Sequence, residues 1–213
     1  MDKSNEEFLD RYEELLEEGL CKLCTGAGLM DGEILRCPDI DGQWDLYIKE
    51  YVADAVSNFN SYPDAAIAWA AFLGMGVAYN WDLNWRKYRS SPYNTYYGSR
   101  GWDDMDEHVL YDMIGLNKDS PEAARINDTL LSCAAAALGL LQHEGVQTET
   151  ALGFYALSRT YTSLFRIGAS IELKRLKYKK VALEHRRSPN PAARASQASA
   201  FPQRREQAAT KSL

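Results

Sequence analysis

Apolar residues recur at intervals of three and four along most of this chain, which is the spacing of one face of an α-helix. One such stripe lies between Asp64 and Tyr88, at Ile67, Ala71, Gly74, Ala78, Trp81, Trp85 and Tyr88. No segment shows the two-residue alternation of a half-buried strand, and no internal repeat is visible. The spacing therefore predicts an all-α protein, a single-domain bundle of about six helices.

Turn and capping residues divide this pattern into separate helices. Ser120 followed by Pro121 is typical of a helix start, and glycines such as Gly19, Gly115 and Gly145 are placed to end helices. The expected helices cover residues 4–19, 43–59, 64–88, 104–114, 121–143 and 147–184. The small residues around Gly74 predict a close crossing with a partner helix, because they let two backbones approach.

Composition sets the class of protein. With 213 residues, 46% of them hydrophobic, the chain is long enough to bury one core without disulfides. We therefore expect one helical domain over residues 1–187 and a disordered basic tail over 188–213. The longest apolar run has 15 residues, 65–79, which is too short to span a bilayer, so no membrane partner is predicted. Four cysteines are too few for a disulfide scaffold and favour a cytoplasmic location.

Charge is segregated along the chain. Residues 174–213 carry eleven Lys and Arg and two acids, a net charge of +9, whereas the other 173 residues carry 13 basic and 28 acidic groups, a net charge of −15. A basic end of this kind can bind nucleic acid through phosphate contacts, or it can be a solvated surface. Nucleic-acid binding through Lys174–Arg205 is therefore one alternative function.

The segment between Tyr79 and Trp102 is unusually aromatic, with eight aromatic residues in 24 against 11% in the whole chain. Its second part, Ser90–Gly101, has the composition of a loop. Tyrosine, tryptophan and arginine are the residues that dominate binding at protein interfaces. The candidate partner-binding residues are Tyr93, Tyr96, Tyr97, Arg100 and Trp102. Alternatively, the loop folds over the end of the bundle and its hydroxyls form internal hydrogen bonds.

A cluster of acids follows this loop and contains a histidine. Asp104 and His108 are four residues apart, so on a helix they share a face and can bind a divalent metal together with Asp103, Asp106 or Glu107. The alternative is that the acids cap the start of a helix and complement its dipole. The metal hypothesis predicts a metal-dependent enzyme of the helical-bundle type.

The cysteines form a short motif near the N-terminus. Residues 21–28 read Cys-Lys-Leu-Cys-Thr-Gly-Ala-Gly, and Cys37 is followed by Pro38. This pattern resembles one half of the cysteine-rich zinc module of the DnaJ chaperones, which implies a zinc site formed by Cys21, Cys24 and Cys37. It departs from that module at Ile40, which stands where the fourth cysteine belongs, so Asp39 or Asp41 would have to be the fourth ligand. The alternative is a glycine-rich loop over residues 20–42 with small buried cysteines.

Other catalytic signatures are missing from the sequence. There is no nucleophile elbow, no phosphate-binding P-loop and no dinucleotide fingerprint. We therefore predict no cofactor and no bound metal as part of the function. The leading hypothesis is a non-enzymatic helical interaction protein that binds a protein partner, or itself, through the aromatic and arginine loop.

Overall fold

The computed structural model describes residues 3–179, and within them the chain forms six helices and no β-strand. The helices are α1 (Lys3–Gly26), α2 (Pro38–Phe59), α3 (Pro63–Tyr88), α4 (Met105–Glu107, continued by a π-helix over His108–Met113), α5 (Pro121–His143) and α6 (Ala151–Arg175). Two 3₁₀ turns, Tyr93–Tyr96 and Trp102–Asp104, connect α3 to α4. The all-α prediction is confirmed, whereas the predicted tail over 188–213 lies outside the described residues.

Helix α3 is the centre of the bundle, and residues 66–78 are buried except for the half-buried Trp69. It crosses α6 at a pair of glycines. A Cβ atom on Gly74 would overlap the carbonyl oxygen of Phe165, and one on Gly168 would overlap the carbonyl oxygen of Ala71. The close crossing predicted near Gly74 is thus present, and only glycine at both positions allows it.

Side chains and glycines cap several helix ends, and the caps at Ser120, Gly115 and Gly145 are those that the sequence predicts. The hydroxyl of Ser120 accepts a hydrogen bond from the Ala123 amide at 3.1 Å, and Thr150 accepts one from Gly153 at 3.0 Å. Each side chain satisfies one of the amides that the first turn of a helix leaves without a partner. Gly115 and Gly145 take positive φ angles after α4 and α5, as predicted for helix stops.

The predicted stop of α1 at Gly19 is wrong, because the helix continues to Gly26. The buried stripe of Leu16, Leu20 and Cys24 maintains a four-residue spacing past the glycine, so the packing of this face outweighs the weak helix propensity of Gly19. The expected loop over 20–42 is correspondingly shorter, and the first two cysteines lie on a helix.

The predicted length of α6 is also wrong. A helix over 147–184 would be about 57 Å long, whereas α6 has 25 residues and is about 37 Å long. The chain turns at Lys177, which has a φ of 66°. The amide of Lys177 donates to the Lys174 carbonyl at 2.8 Å, and the amide of Tyr178 donates to the Leu173 carbonyl at 2.9 Å. This is the Schellman arrangement that ends helices.

Candidate functional site

The aromatic loop, Tyr93–Trp102, lies against α2 and α3. Tyr93 is 1% exposed and Trp102 is 8% exposed. The indole nitrogen of Trp102 donates to the Tyr93 hydroxyl at 3.1 Å, and the indole nitrogen of Trp69 donates to the Trp102 carbonyl at 2.9 Å. Burial raises the pKa of Tyr93, so its hydroxyl stays protonated and serves as a hydrogen-bonding group of the core.

Tyr96 is equally buried, at 1% exposure. Its hydroxyl accepts a hydrogen bond from the side-chain amide of Asn80 at 3.3 Å, and its ring lies 5.8 Å from the ring of Tyr47. A Cβ atom on Gly76 would lie 2.8 Å from the Tyr96 ring, so this glycine makes room for it. Three of the five predicted binding residues therefore form part of the core, as in the folded-over alternative.

The accessible part of the loop is small. Tyr97 is half-buried and donates a hydrogen bond from its hydroxyl to the carboxylate of Asp54. Arg100 is exposed and forms an ion pair with Asp104. A partner can therefore reach Arg100 and one edge of Tyr97, but it cannot reach Tyr93, Tyr96 or Trp102. Partner binding by this loop stays a prediction.

The structure gives Asp104 and His108 separate partners. Asp104 is buried in a 3₁₀ turn, where it accepts hydrogen bonds from the Arg100 amide at 2.8 Å and the Ser99 hydroxyl at 3.2 Å. The hydrogen-bonded Arg100 guanidinium lowers the pKa of this carboxyl. His108 begins the π-helix and pairs with Asp112 at 3.1 Å. The shared α-helical face that the metal hypothesis assumes is therefore absent.

The cysteines of the zinc hypothesis are also separated. Cys21 and Cys24 lie on α1 and Cys37 precedes α2, and the sulfur of Cys24 lies 3.5 Å from that of Cys133 on α5. Burial raises the pKa of Cys21 and Cys37 to about 11, which disfavours the thiolate that binds zinc. Across residues 3–179, no three His, Cys, Asp or Glu side chains are grouped to hold a metal ion.

Two cations of the basic segment are engaged within the bundle. Lys174 pairs with Asp31 at 2.7 Å, and Arg175 pairs with Glu122 at 2.6 Å and with Glu172 at 2.8 Å. From residue 180 onward the segment lies outside the described residues. Nucleic-acid binding therefore stays a prediction for the remainder of the segment.

The outer face of α5 is the feature that sequence reasoning missed. Residues 129–142 contain no charged side chain, and the run is bounded by Asp128 and His143. Six of its 14 residues are nevertheless exposed, namely Leu131, Ser132, Ala135, Ala136, Gly139 and Gln142. We call these six residues the α5 outer face. A Cβ atom on Gly139 would meet no atom within 4 Å, so the backbone itself is accessible there.

The solvent-facing side of α1 shows how unusual this surface is. Of the nine exposed residues between Glu6 and Lys22, seven are charged, and none of the six on the α5 outer face is. By length and composition α5 is also the one helix within residues 3–179 that could cross a membrane, yet only 39% of its most apolar 18-residue window is buried. A helix in contact with water normally carries charge on its outer side, so this face has the composition of a contact surface.

One signal in the sequence could have identified this face. A helix on the surface normally carries polar residues every three or four positions along its outer side. Apart from Cys133, the only polar residues among the 14 residues 129–142 are Thr129, Ser132 and Gln142. A run of that length without charge is typical of a helix that is buried on all sides, so its partial exposure is what marks this face.

Comparison with known proteins adds no further assignment. No protein-family model matches the chain, and the searches of curated proteins and of solved structures find no significant match.

Proposed function

We propose that this chain is a non-enzymatic helical interaction protein and that it binds a protein partner through the α5 outer face. The observation that supports the proposal is the uncharged run of 14 residues on a helix whose exposed side faces solvent. Apolar surface of this kind is stabilised by burial against a partner, at about 25 cal/mol for each Å² removed from water.

The location of this face within the fold suits a binding role. The inner side of α5 packs on the body through buried residues such as Ile126, Leu130 and Ala137, so the helix is held rigidly. Binding to such a preformed surface costs little conformational entropy. The contact surface proposed here is α5 and not the aromatic loop, because three of the four aromatic rings of the loop already pack inside the bundle.

The proposal is tested by affinity capture of partners from the source cells with three baits: the wild-type chain, A136R and A53R. Ala136 lies on the α5 outer face, and Ala53 is an exposed alanine on α2 that serves as the matched control. We expect a captured protein to be retained by A53R and lost with A136R, since a buried unpaired arginine is costly at an interface.

Circular dichroism of both variants checks that each retains the helical fold. If wild type, A136R and A53R capture the same proteins in the same amounts, α5 is not the contact surface and the proposal is wrong.

A further inference from the structure

We propose that the partner of the α5 outer face is a second copy of this chain, packed antiparallel across a two-fold axis between Ala135 and Ala136. This inference rests on the proposed function, since it names the partner of the same surface. It follows from the position of the uncharged run, from the sizes of its exposed side chains and from the polar residues that bound it.

The run is centred on its own exposed side. It is bounded by Asp128 and His143, so its midpoint falls between Ala135 and Ala136, and both of these residues are exposed. With 3.6 residues per turn, Ser132 and Gly139 lie within about 10° of the direction of that midpoint, and the two alanines lie within about 50°. The most outward positions are therefore the smallest ones.

Small residues at the centre permit a close approach of two helices. In the antiparallel arrangement Ser132 of one copy faces Gly139 of the other, and the two alanines surround the axis. Helices with such contacts pack at the short end of the usual range of about 8–10 Å between axes. The chain already uses this kind of contact internally, where Gly74 and Gly168 bring α3 and α6 together.

The polar side chains at the two ends select the antiparallel orientation. Asp128 and His143 are both exposed. An antiparallel pair places Asp128 of one copy beside His143 of the other at both ends of the interface, where a ring N–H of the histidine can donate a hydrogen bond to the carboxylate. A parallel pair would instead place two aspartates together, which is unfavourable.

The same features argue against a membrane as the partner. The uncharged run is about 21 Å long at 1.5 Å per residue, which is shorter than the roughly 30 Å hydrocarbon core of a bilayer. The inner side of α5 is buried against the body. The chain's own segment from residue 180 onward is also a poor candidate for binding the α5 outer face, because that segment is strongly basic and the face has no negative charge.

The interface is modest in size, which sets the conditions of the test. A helix pair of about 21 Å buries less than the roughly 1,600 Å² of a standard interface, so we expect a dissociation constant in the micromolar range. Sedimentation equilibrium from about 1 to 300 µM covers that range. The monomer has a mass of 24.0 kDa.

The experiment compares the full-length wild type with A136R and A53R. Because Ala136 lies beside the two-fold axis, A136R brings two arginines together. We expect the wild type and A53R to approach twice the monomer mass as concentration rises, and A136R to show at least 100-fold weaker association.

A charge exchange tests the orientation. H143E alone places two carboxylates together and D128K alone removes the acceptor for His143, so each should weaken association about two- to fivefold, whereas the double variant forms an exposed Lys–Glu pair and should restore it. Positions 128 and 143 are about 22 Å apart along one helix, so restoration requires contact between copies.

A wild type that stays monomeric over the whole range would overturn the self-pairing, and so would association that A136R leaves unchanged. Co-sedimentation with neutral phosphatidylcholine vesicles tests a membrane as the partner. If the wild type is monomeric and binds the vesicles, and A136R does not bind them, the face contacts a membrane and the inference is overturned. If the wild type is monomeric and captures another protein that A136R does not capture, the self-pairing is refuted and the proposed function still holds.

Discussion

Glu172 is the most unusual single residue of the bundle, since its carboxylate is fully buried near the end of α6. One carboxylate oxygen accepts a hydrogen bond from Arg175 at 2.8 Å, and the other has no hydrogen-bond partner within residues 3–179. Glu122 and Asp82 also face it and disfavour its ionisation. Burial, the largest cause, raises the pKa of Glu172 to about 7.

This buried carboxyl predicts a pH-dependent stability. A carboxyl with a pKa of 4.5 in the unfolded chain and about 7 in the folded one stabilises the fold by about 3 kcal/mol below pH 4.5. That contribution is lost as the pH rises through 7. We expect the stability of E172Q relative to wild type to increase by about this amount between pH 4.5 and 8. Urea unfolding measures it, and an identical pH dependence of the two proteins would contradict the assignment.

The aromatic loop shows what residue composition leaves undecided. Tyrosine, tryptophan and arginine are favoured in interfaces and also in cores where a polar tip finds a hydrogen bond, so Tyr93 and Trp102 fit both environments equally well. The distinction depends on long-range partners such as Trp69, whose contact with Trp102 spans 33 residues. The sequence shows that these aromatic residues cluster, but it does not show whether they lie in the core or on the surface.

The burial of the loop predicts that its tyrosines stabilise the fold. We expect Y93A to lower the free energy of unfolding by about 3–5 kcal/mol, the range for removing a large core side chain. Tyr62 is 67% exposed and provides the matched control, so Y62A should change stability by less than about 0.5 kcal/mol. Chemical denaturation compares the two variants, and equal small effects would place the Tyr93 ring outside the core.

At the scale of helices, the sequence predicts all six helices found within residues 3–179, because apolar stripes and capping residues are local features. The errors lie at the ends. Gly19 lies within α1 because the helix packs against the core on both sides of this residue. Helix α6 is followed by Lys177 in the left-handed conformation, and the next residue, Tyr178, packs on Trp81 with ring centroids 5.3 Å apart. Both outcomes are set by tertiary contacts that a single sequence does not display.

The crossing of α3 and α6 yields a prediction at this scale. G168A places a methyl group on the Ala71 carbonyl, so we expect it to destabilise the fold by at least about 3 kcal/mol, the upper end of overpacking effects. G19A is the matched control, because that glycine has open space around it and alanine improves helix propensity by about 1 kcal/mol. Thermal unfolding followed by circular dichroism ranks the variants, and a G168A protein as stable as wild type would contradict the close crossing.

At the scale of the whole molecule, the α5 outer face differs from the solvent-facing side of α1, because it is exposed and carries no charge. The acidic surface of α1 is typical of a surface in contact with water, whereas we propose that the α5 outer face contacts another helix. The sequence contained the relevant run, but its exposure became visible only when the packing of α5 showed which of its residues face inward. We therefore expect two copies of this chain to pair antiparallel through the α5 outer face.

Disulfide trapping tests this arrangement most directly. S132C and G139C are prepared separately in a C21S background, which removes the half-exposed native thiol, and are then mixed and mildly oxidised. Because Ser132 of one copy faces Gly139 of the other, we expect the mixture to form a covalent dimer of twice 24.0 kDa on a non-reducing gel. Each variant alone should stay monomeric, since identical positions lie about 10 Å apart along the helix axis. Efficient cross-linking of S132C with itself, or no cross-linking in the mixture, would contradict the antiparallel pair.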